Sequence, residues 1–179
     1  FQAIRDFVRR ETLDTPGTRW TDEELDRYIN LAQLTYARRS GCLTGTVDVY
    51  HNGLDDIFQT PDNYIKAKEF KLAGSDIPLP LVSWHILATE HSPRFLSDTN
   101  SDLYYCCFDY ECWNQFRFYP NLDVDAGTFI GTLKYARKPE IDVLEIHNME
   151  SIAYYVLFRI FLKERMPKYL KKAYTYKMK

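Results

Sequence analysis

Glycine is scarce, with seven in 179 residues. Phosphate-cradling loops and dinucleotide fingerprints need several glycines close together so that the backbone can approach the ligand. No such loop occurs, and neither does a nucleophile elbow, an HExxH pair or a calcium loop. Long apolar runs are missing as well. No stretch approaches the roughly 18 uninterrupted apolar residues of a membrane-spanning helix, and the first residues are charged and amphipathic rather than signal-like, so a soluble protein is expected. Net charge is small, −2 at pH 7 with a pI near 6.1, so affinity for nucleic acid does not follow from total charge. Cysteine is limited to Cys42, Cys106, Cys107 and Cys112. Adjacent Cys106 and Cys107 point to opposite faces of an extended chain and nothing marks secretion, so free thiols made in a reducing cytoplasm are expected. Zinc sites pair their ligands as CxxC or HxxxH. The CCxxxxC run does not, even with His85, His91 or His147 available elsewhere, and packed thiols are the better reading.

What is present is apolar and aromatic material: 45% of residues are hydrophobic, and 14 Tyr and 11 Phe dominate the rings. That places the chain among folded globular proteins and offers contact area to cores and interfaces alike. Its length suits one ordinary domain. Charge is uneven. From Lys163 to Lys179 seven Lys or Arg face the single Glu164, a net of about +6 that leaves about −8 on the rest.

Local signals define helices at both ends. Ile4, Phe7, Val8 and Glu11 recur at helical spacing before Thr15-Pro16-Gly17 stops the run. In the next segment Thr21 is an N-cap with Glu24 three residues on, and Asp22 and Glu23 suit the positive helix end. Leu25, Tyr28, Ile29, Ala32 and Tyr36 make one apolar stripe, ending at Arg38, Arg39 and Gly41. Near the other end, Asn148 caps a helix that is apolar almost all round from Ile152 to Leu162 apart from Arg159, and Pro167 kinks or breaks it. A helix buried on every side is unusual in so small a domain, which predicts that neighbouring subunits cover part of it. Subunit packing is therefore expected at Leu25, Tyr28, Ile29, Ile152, Tyr155, Val156 and Ile160.

Between the helices the period changes to two. Val47 and Val49 alternate with polar neighbours, and YIKAKEFKL, LYYCCFDY, WNQFRFY and TFIGTLKYA are rich in β-branched and aromatic residues between turn signals. Phe116 and Phe118 share one face while Gln115 and Arg117 share the other, and Phe129, Leu133 and Tyr135 repeat the alternation after a turn-rich PNLDVDAG. The two segments are expected to form a hairpin or meander in a small antiparallel sheet, with Pro139 ending the last strand.

Chemistry-bearing residues are few. Asp55, Asp56, Asp123 and Asp125 are clustered carboxylates of the kind that acid–base work or magnesium requires, but they sit in turn-like segments where Asp caps local backbone. His85 beside Trp84 reads as a packed or interface histidine. The two N-terminal helices with a short connection could form a helix-turn-helix. The second opens with Thr21, Asp22, Glu23 and Glu24, acidic where a recognition helix would approach phosphates.

The order of these parts resembles the head-to-tail adaptor or connector proteins of tailed bacteriophages. The resemblance lies in RWTDEELDRYINLAQ (Arg19 to Gln33), ARRSGCL (Ala37 to Leu43), TPDNYIKAKEFKLAG (Thr60 to Gly74), FRFYPNLDVDAGTFIGTLKYARKP (Phe116 to Pro139) and IAYYVLFRIFLKER (Ile152 to Arg165). It covers nearly the whole chain in the right order. Departures fall at Cys106 to Trp113 and at His51 to Gln59. The resemblance implies an α+β fold, a helical bundle of an N-terminal helix pair plus a long C-terminal helix carrying an inserted small antiparallel β-region. Residues 1–179 would be a single adaptor domain, with N-terminal helices at 1–42, the β-rich insertion at 43–139, the C-terminal helix at 140–166 and a basic tail at 167–179.

The function it implies is structural and non-enzymatic, without cofactors or metals. Subunits would form a ring, usually of twelve, below the portal protein in the virion. That homo-oligomeric ring would extend the DNA exit channel and carry the tail nozzle, tail tube or tail fibre proteins. Assembly would occur in the host bacterial cytoplasm, away from any membrane, and genomic DNA would pass the lumen without specific binding. The tail would dock on the portal through Arg165, Lys168, Tyr169, Lys171, Lys172, Tyr174 and Tyr176. The alternative is a phage DNA-packaging or regulatory protein that uses the N-terminal helices on DNA.

Overall fold

The computed structural model describes residues 1–53, 57–90, 99–100, 103, 105–108 and 114–164. Four helices occur among them: α1 (Gln2–Thr12), α2 (Asp22–Ser40), α3 (Trp84–Glu90) and α4 (Met149–Glu164). Ten strands accompany them: β1 (Thr44–Tyr50), β2 (Ile57–Gln59), β3 (Tyr64–Leu72), β4 (Pro78–Leu79), β5 (Leu81–Ser83), β6 (Thr99–Asn100), β7 (Tyr105–Phe108), β8 (Gln115–Tyr119), β9 (Asn121–Leu122) and β10 (Phe129–Arg137). They divide into two compact units, Phe1–Leu43 with Lys138–Lys179, and Thr44–Arg137.

The first unit packs α1, α2 and α4 together. Helix α2 starts where the sequence says it must: the Thr21 hydroxyl accepts the Glu24 N–H at 3.2 Å. It stops at Gly41, whose φ of 62° lets its N–H return to the Ala37 carbonyl. Helix α1 ends at Leu13 in the same left-handed conformation, φ 58°, where glycine is more usual. Asn148 caps α4 by accepting the Ser151 N–H at 3.1 Å. Ile4 and Val8 of α1, Leu25, Ile29 and Ala32 of α2, and Ile152, Val156, Leu157 and Ile160 of α4 are buried. The nearly uniform apolarity of α4 thus finds cover inside its own chain, because two helices flank it.

The second unit holds two four-stranded sheets, ordered β1-β10-β3-β4 and β2-β8-β7-β5, and a short β6-β9 pair. Their inner faces share one core, in which Phe70 of the first sheet meets Phe116 and Phe118 of the second with ring centroids 6.4 and 4.8 Å apart. Helix α3 covers the other face of the second sheet, where Leu87 and Cys107 are buried with Val82, Trp84, Tyr105 and Tyr119 against them. A sheet covered on both faces loses its polar side, and Arg117, on the α3 face opposite Phe116 and Phe118, is accordingly buried.

The architecture corrects the expected helical bundle with a small antiparallel insertion. The fold is mixed α+β with two sheets and four helices. The strand region is large enough to build its own aromatic core, and it is not purely antiparallel, since β5–β7 and β6–β9 run parallel. The expected hairpin of Phe116–Tyr119 with Phe129–Tyr135 is also absent: β8 pairs with β2 and β7, while β10 pairs with β1 and β3. Alternation along β10 shifts at a bulge, where Val49 faces Gly131 but Tyr50 faces Phe129. Ile130 is therefore buried in place of Phe129, while Leu133 and Tyr135 stay inside as expected.

Candidate functional site

Among the described residues, those that bear chemistry do not converge. Asp123 and Asp125 are exposed after β9, and His85 is exposed on the short α3. Asp55, Asp56, His91 and Cys112 lie outside the described residues. Among the described residues no group of three or more His, Cys, Asp or Glu side chains is placed to hold a metal ion, and no helix is long and apolar enough to cross a membrane. Cys106 and Cys107 do point to opposite faces of β7, one into each core, and both are free and buried. Burial pushes the Cys106 thiol well above its ordinary range. Burial also raises Cys107, to about 11, with Arg117 pulling the other way. Neither is a nucleophile at neutral pH.

The acidic start of α2 is engaged within the helical unit. Arg5 grips Asp26 through two hydrogen bonds, at 2.7 and 2.5 Å, and Arg9 reaches Asp22 at 2.5 Å. At the far end of α4, Lys163 pairs with Glu24 and lies 5.0 Å over the Trp20 ring, while Arg19 meets Glu164 at 2.9 Å. These charges join the start of α2 to α1 and to the end of α4. A DNA-recognition helix would present cationic groups there, and α2 presents carboxylates held by its neighbours.

Asp14 organises the connection between α1 and α2. Its carboxylate accepts the N–H groups of Thr18, Arg19 and Trp20 at 3.1, 3.1 and 2.9 Å. Burial raises its pKa, but the three backbone hydrogen bonds and Arg9 outweigh that, and the net shift is downward.

Two open grooves mark the surface of this unit. One, of about 350 Å³, runs between Leu31 and Leu34 of α2 and the loop carrying Pro139 and Ile141. Ile141 is 79% exposed. The loop is fixed to α2 by polar side chains that hydrophobic periodicity does not flag. Asn30 exchanges hydrogen bonds with Asp142 at 2.8 and 3.1 Å. Gln33, fully buried, donates to the Val143 carbonyl at 2.9 Å and accepts the Glu145 N–H at 3.0 Å. The second groove, of about 210 Å³, lies between Ala3 and Phe7 of α1 and Met149 and Ala153 of α4. In the strand unit, Tyr50 and Phe129 form an outward-facing pair with centroids 5.3 Å apart.

Of the positions expected to pack between subunits, Leu25, Tyr28, Ile29, Ile152, Val156 and Ile160 are buried within the helical unit. Tyr155 is half-buried, with its hydroxyl 3.3 Å from that of Thr35. Arg165, Lys168, Tyr169, Lys171, Lys172, Tyr174 and Tyr176 lie outside the described residues. Leu31, Leu34, Ile141 and Met149 were not singled out by the sequence pattern, because isolated apolar residues on a polar face carry no periodic signal.

Compared with known protein families, residues 1–178 match the family model described as SU10 adaptor protein. A comparison with curated proteins finds no match.

Proposed function

Because the chain belongs to the SU10 adaptor protein family, a phage head-tail adaptor family, we propose that it is a virion subunit forming a closed ring, twelve-fold, between the portal and the tail. The single observation that carries this reading is a family match spanning the helical and strand units alike. The ring extends the DNA exit channel and presents a platform to the tail nozzle, tail tube or fibre proteins. It does so without catalysis. A conduit must release DNA, and a body whose charge is about −8 outside the basic C-terminal segment suits that task.

Assembly takes place in the host cytoplasm. Leu25, Tyr28, Ile29, Ile152, Val156 and Ile160 back the subunit contacts from inside, and Tyr155 reaches them directly. The basic, Tyr-rich segment from Arg165 onward docks on the portal, its lysines meeting acidic groups and its tyrosines filling grooves between portal subunits. Tailless portal-bearing heads mixed with purified protein test this reading. They should take up the protein in fixed proportion to portal and become competent to accept tails. Equal uptake by capsids lacking the portal would overturn it.

A further inference from the structure

The last turn of α4 breaks a local rule. Carbonyl groups at a helix end carry partial negative charge, so Lys or Arg is favoured there and a carboxylate is not. Helix α4 nevertheless ends on Glu164, whose side chain is only 10% exposed. It meets Arg19, 2.9 Å away, in the connection between α1 and α2. The preceding Lys163 suits the helix end by charge, yet it too is turned onto the protein. It pairs with Glu24 in the first turn of α2 and lies 5.0 Å over the Trp20 ring.

The receiving side is itself fixed. Trp20 is buried; its backbone N–H donates to Asp14 at 2.9 Å and its carbonyl accepts from Arg9 at 3.3 Å. The indole Nε1 is buried with no hydrogen-bond partner among the described residues, so the ring sits there for its face and bulk rather than for its polar atom. Helix ends ordinarily fray over a residue or two, because their last carbonyls lack partners. Here two successive side chains fasten the final turn to a connection that is held in place. Such pairs add little to folding, since Arg19 is 51% and Lys163 55% exposed. Their consequence is geometric. The chain that continues from Glu164 carries six Lys or Arg and no Asp or Glu, and it starts from a point set by Arg19, Trp20 and Glu24.

We infer that Arg19, Trp20 and Glu24, with Lys163 and Glu164, form a clasp that positions the basic segment for docking by fixing where it leaves the helical unit. The inference rests on the portal-docking reading above and names the positioning residues that reading needs outside the segment itself. A segment launched from a fixed point loses less freedom on binding than one on a loose tether, and in a ring every copy presents it at the same place. Arg19 and Glu24 thus act on attachment through the helix end.

The test compares full-length variants for attachment to portal-bearing heads at one salt concentration, with the urea midpoint of each measured alongside. Glu164→Arg opposes Arg19 and makes the docking end more basic, so a role for charge alone expects tighter attachment. The clasp expects attachment weaker by roughly tenfold or more at a nearly unchanged midpoint. Arg19→Glu should weaken it likewise, and the two reversals together should restore it. A short flexible Gly-Ser insertion directly after Glu164 should weaken attachment to the same degree, and adding Glu164→Arg to that insertion should bring no further loss. Variants that attach as the parent does, while removal of Lys168 to Lys179 abolishes attachment, overturn the clasp and leave the docking reading standing. So does a loss of attachment that merely follows a lowered midpoint, or one that the double reversal does not restore. A truncated protein that attaches with unchanged affinity removes the docking reading and the clasp with it.

Discussion

At Asp14 one buried carboxylate satisfies three backbone N–H groups of the turn, of which that of Trp20 is buried as well. Asp14→Ala should therefore destabilise the protein by about 1–2 kcal/mol, the usual scale for losing a capping carboxylate, read as a lower midpoint in urea at unchanged slope. The group also sets a pH dependence. Its folded pKa lies below the ordinary 3.8, so the stability it contributes is complete above that value and is lost as pH falls through the folded pKa. Asp14→Asn should remove that part of the acid sensitivity, which denaturation at pH 3 and pH 6 would show. Gln33 is a second polar residue with a structural task. Gln33→Leu leaves the Val143 carbonyl and the Glu145 N–H without their partner and should cost about 2–3 kcal/mol, with faster amide exchange concentrated between residues 140 and 146. Alkylation followed by peptide mapping should label exposed Cys42 in the native protein and spare Cys106 and Cys107 until it unfolds.

Elements differ in how far local sequence determines them. Helix α2 was legible from Thr21 to Gly41 because its cap, stripe and terminating glycine are all local, and α4 was legible from Asn148 for the same reason. What covers α4 was not legible. An all-round apolar helix fits burial by neighbours of either chain equally well, and here α1 and α2 bury much of it. Strand segments were recognised by composition, but their partners were not, since alternation says which face is apolar and nothing about which strand lies alongside. The bulges of β10 then move the parity within one strand, so Phe129 is exposed where simple alternation buried it. Gly131 shows the constraint that results. A Cβ there would lie 2.1 Å from the Lys71 carbonyl oxygen in β3, and backbone cannot move aside as a side chain does. Gly131→Ala should cost at least the upper end of the ~1–3 kcal/mol range for overpacking, seen as loss of soluble, protease-resistant protein. Of the candidate site, the tail lies outside the described residues, and the two grooves combine helix and loop residues far apart in sequence, which no local pattern brings together.

For the whole molecule, folding rests on the two compact units, and attachment is expected to use surfaces that folding does not. Deleting Lys168 to Lys179 should leave a soluble protein with an unchanged unfolding transition that no longer joins portal-bearing heads. Within that segment Tyr169→Ala with Tyr174→Ala should weaken joining more than replacing two lysines, because exposed charges contribute ~0–1 kcal/mol each and buried aromatic anchors more. Raised salt should slow joining more than it loosens a finished ring, since charge acts mainly on encounter. Family membership makes the chain a phage structural adaptor, and the ring at the head-tail junction is the central claim built on it. Cryo-microscopy of intact virions, without imposed symmetry at the neck, tests that claim most directly. Rotationally repeated copies of this fold are expected in one layer between portal and tail. Finding the protein only in the capsid shell, or absent from the particle, would contradict it.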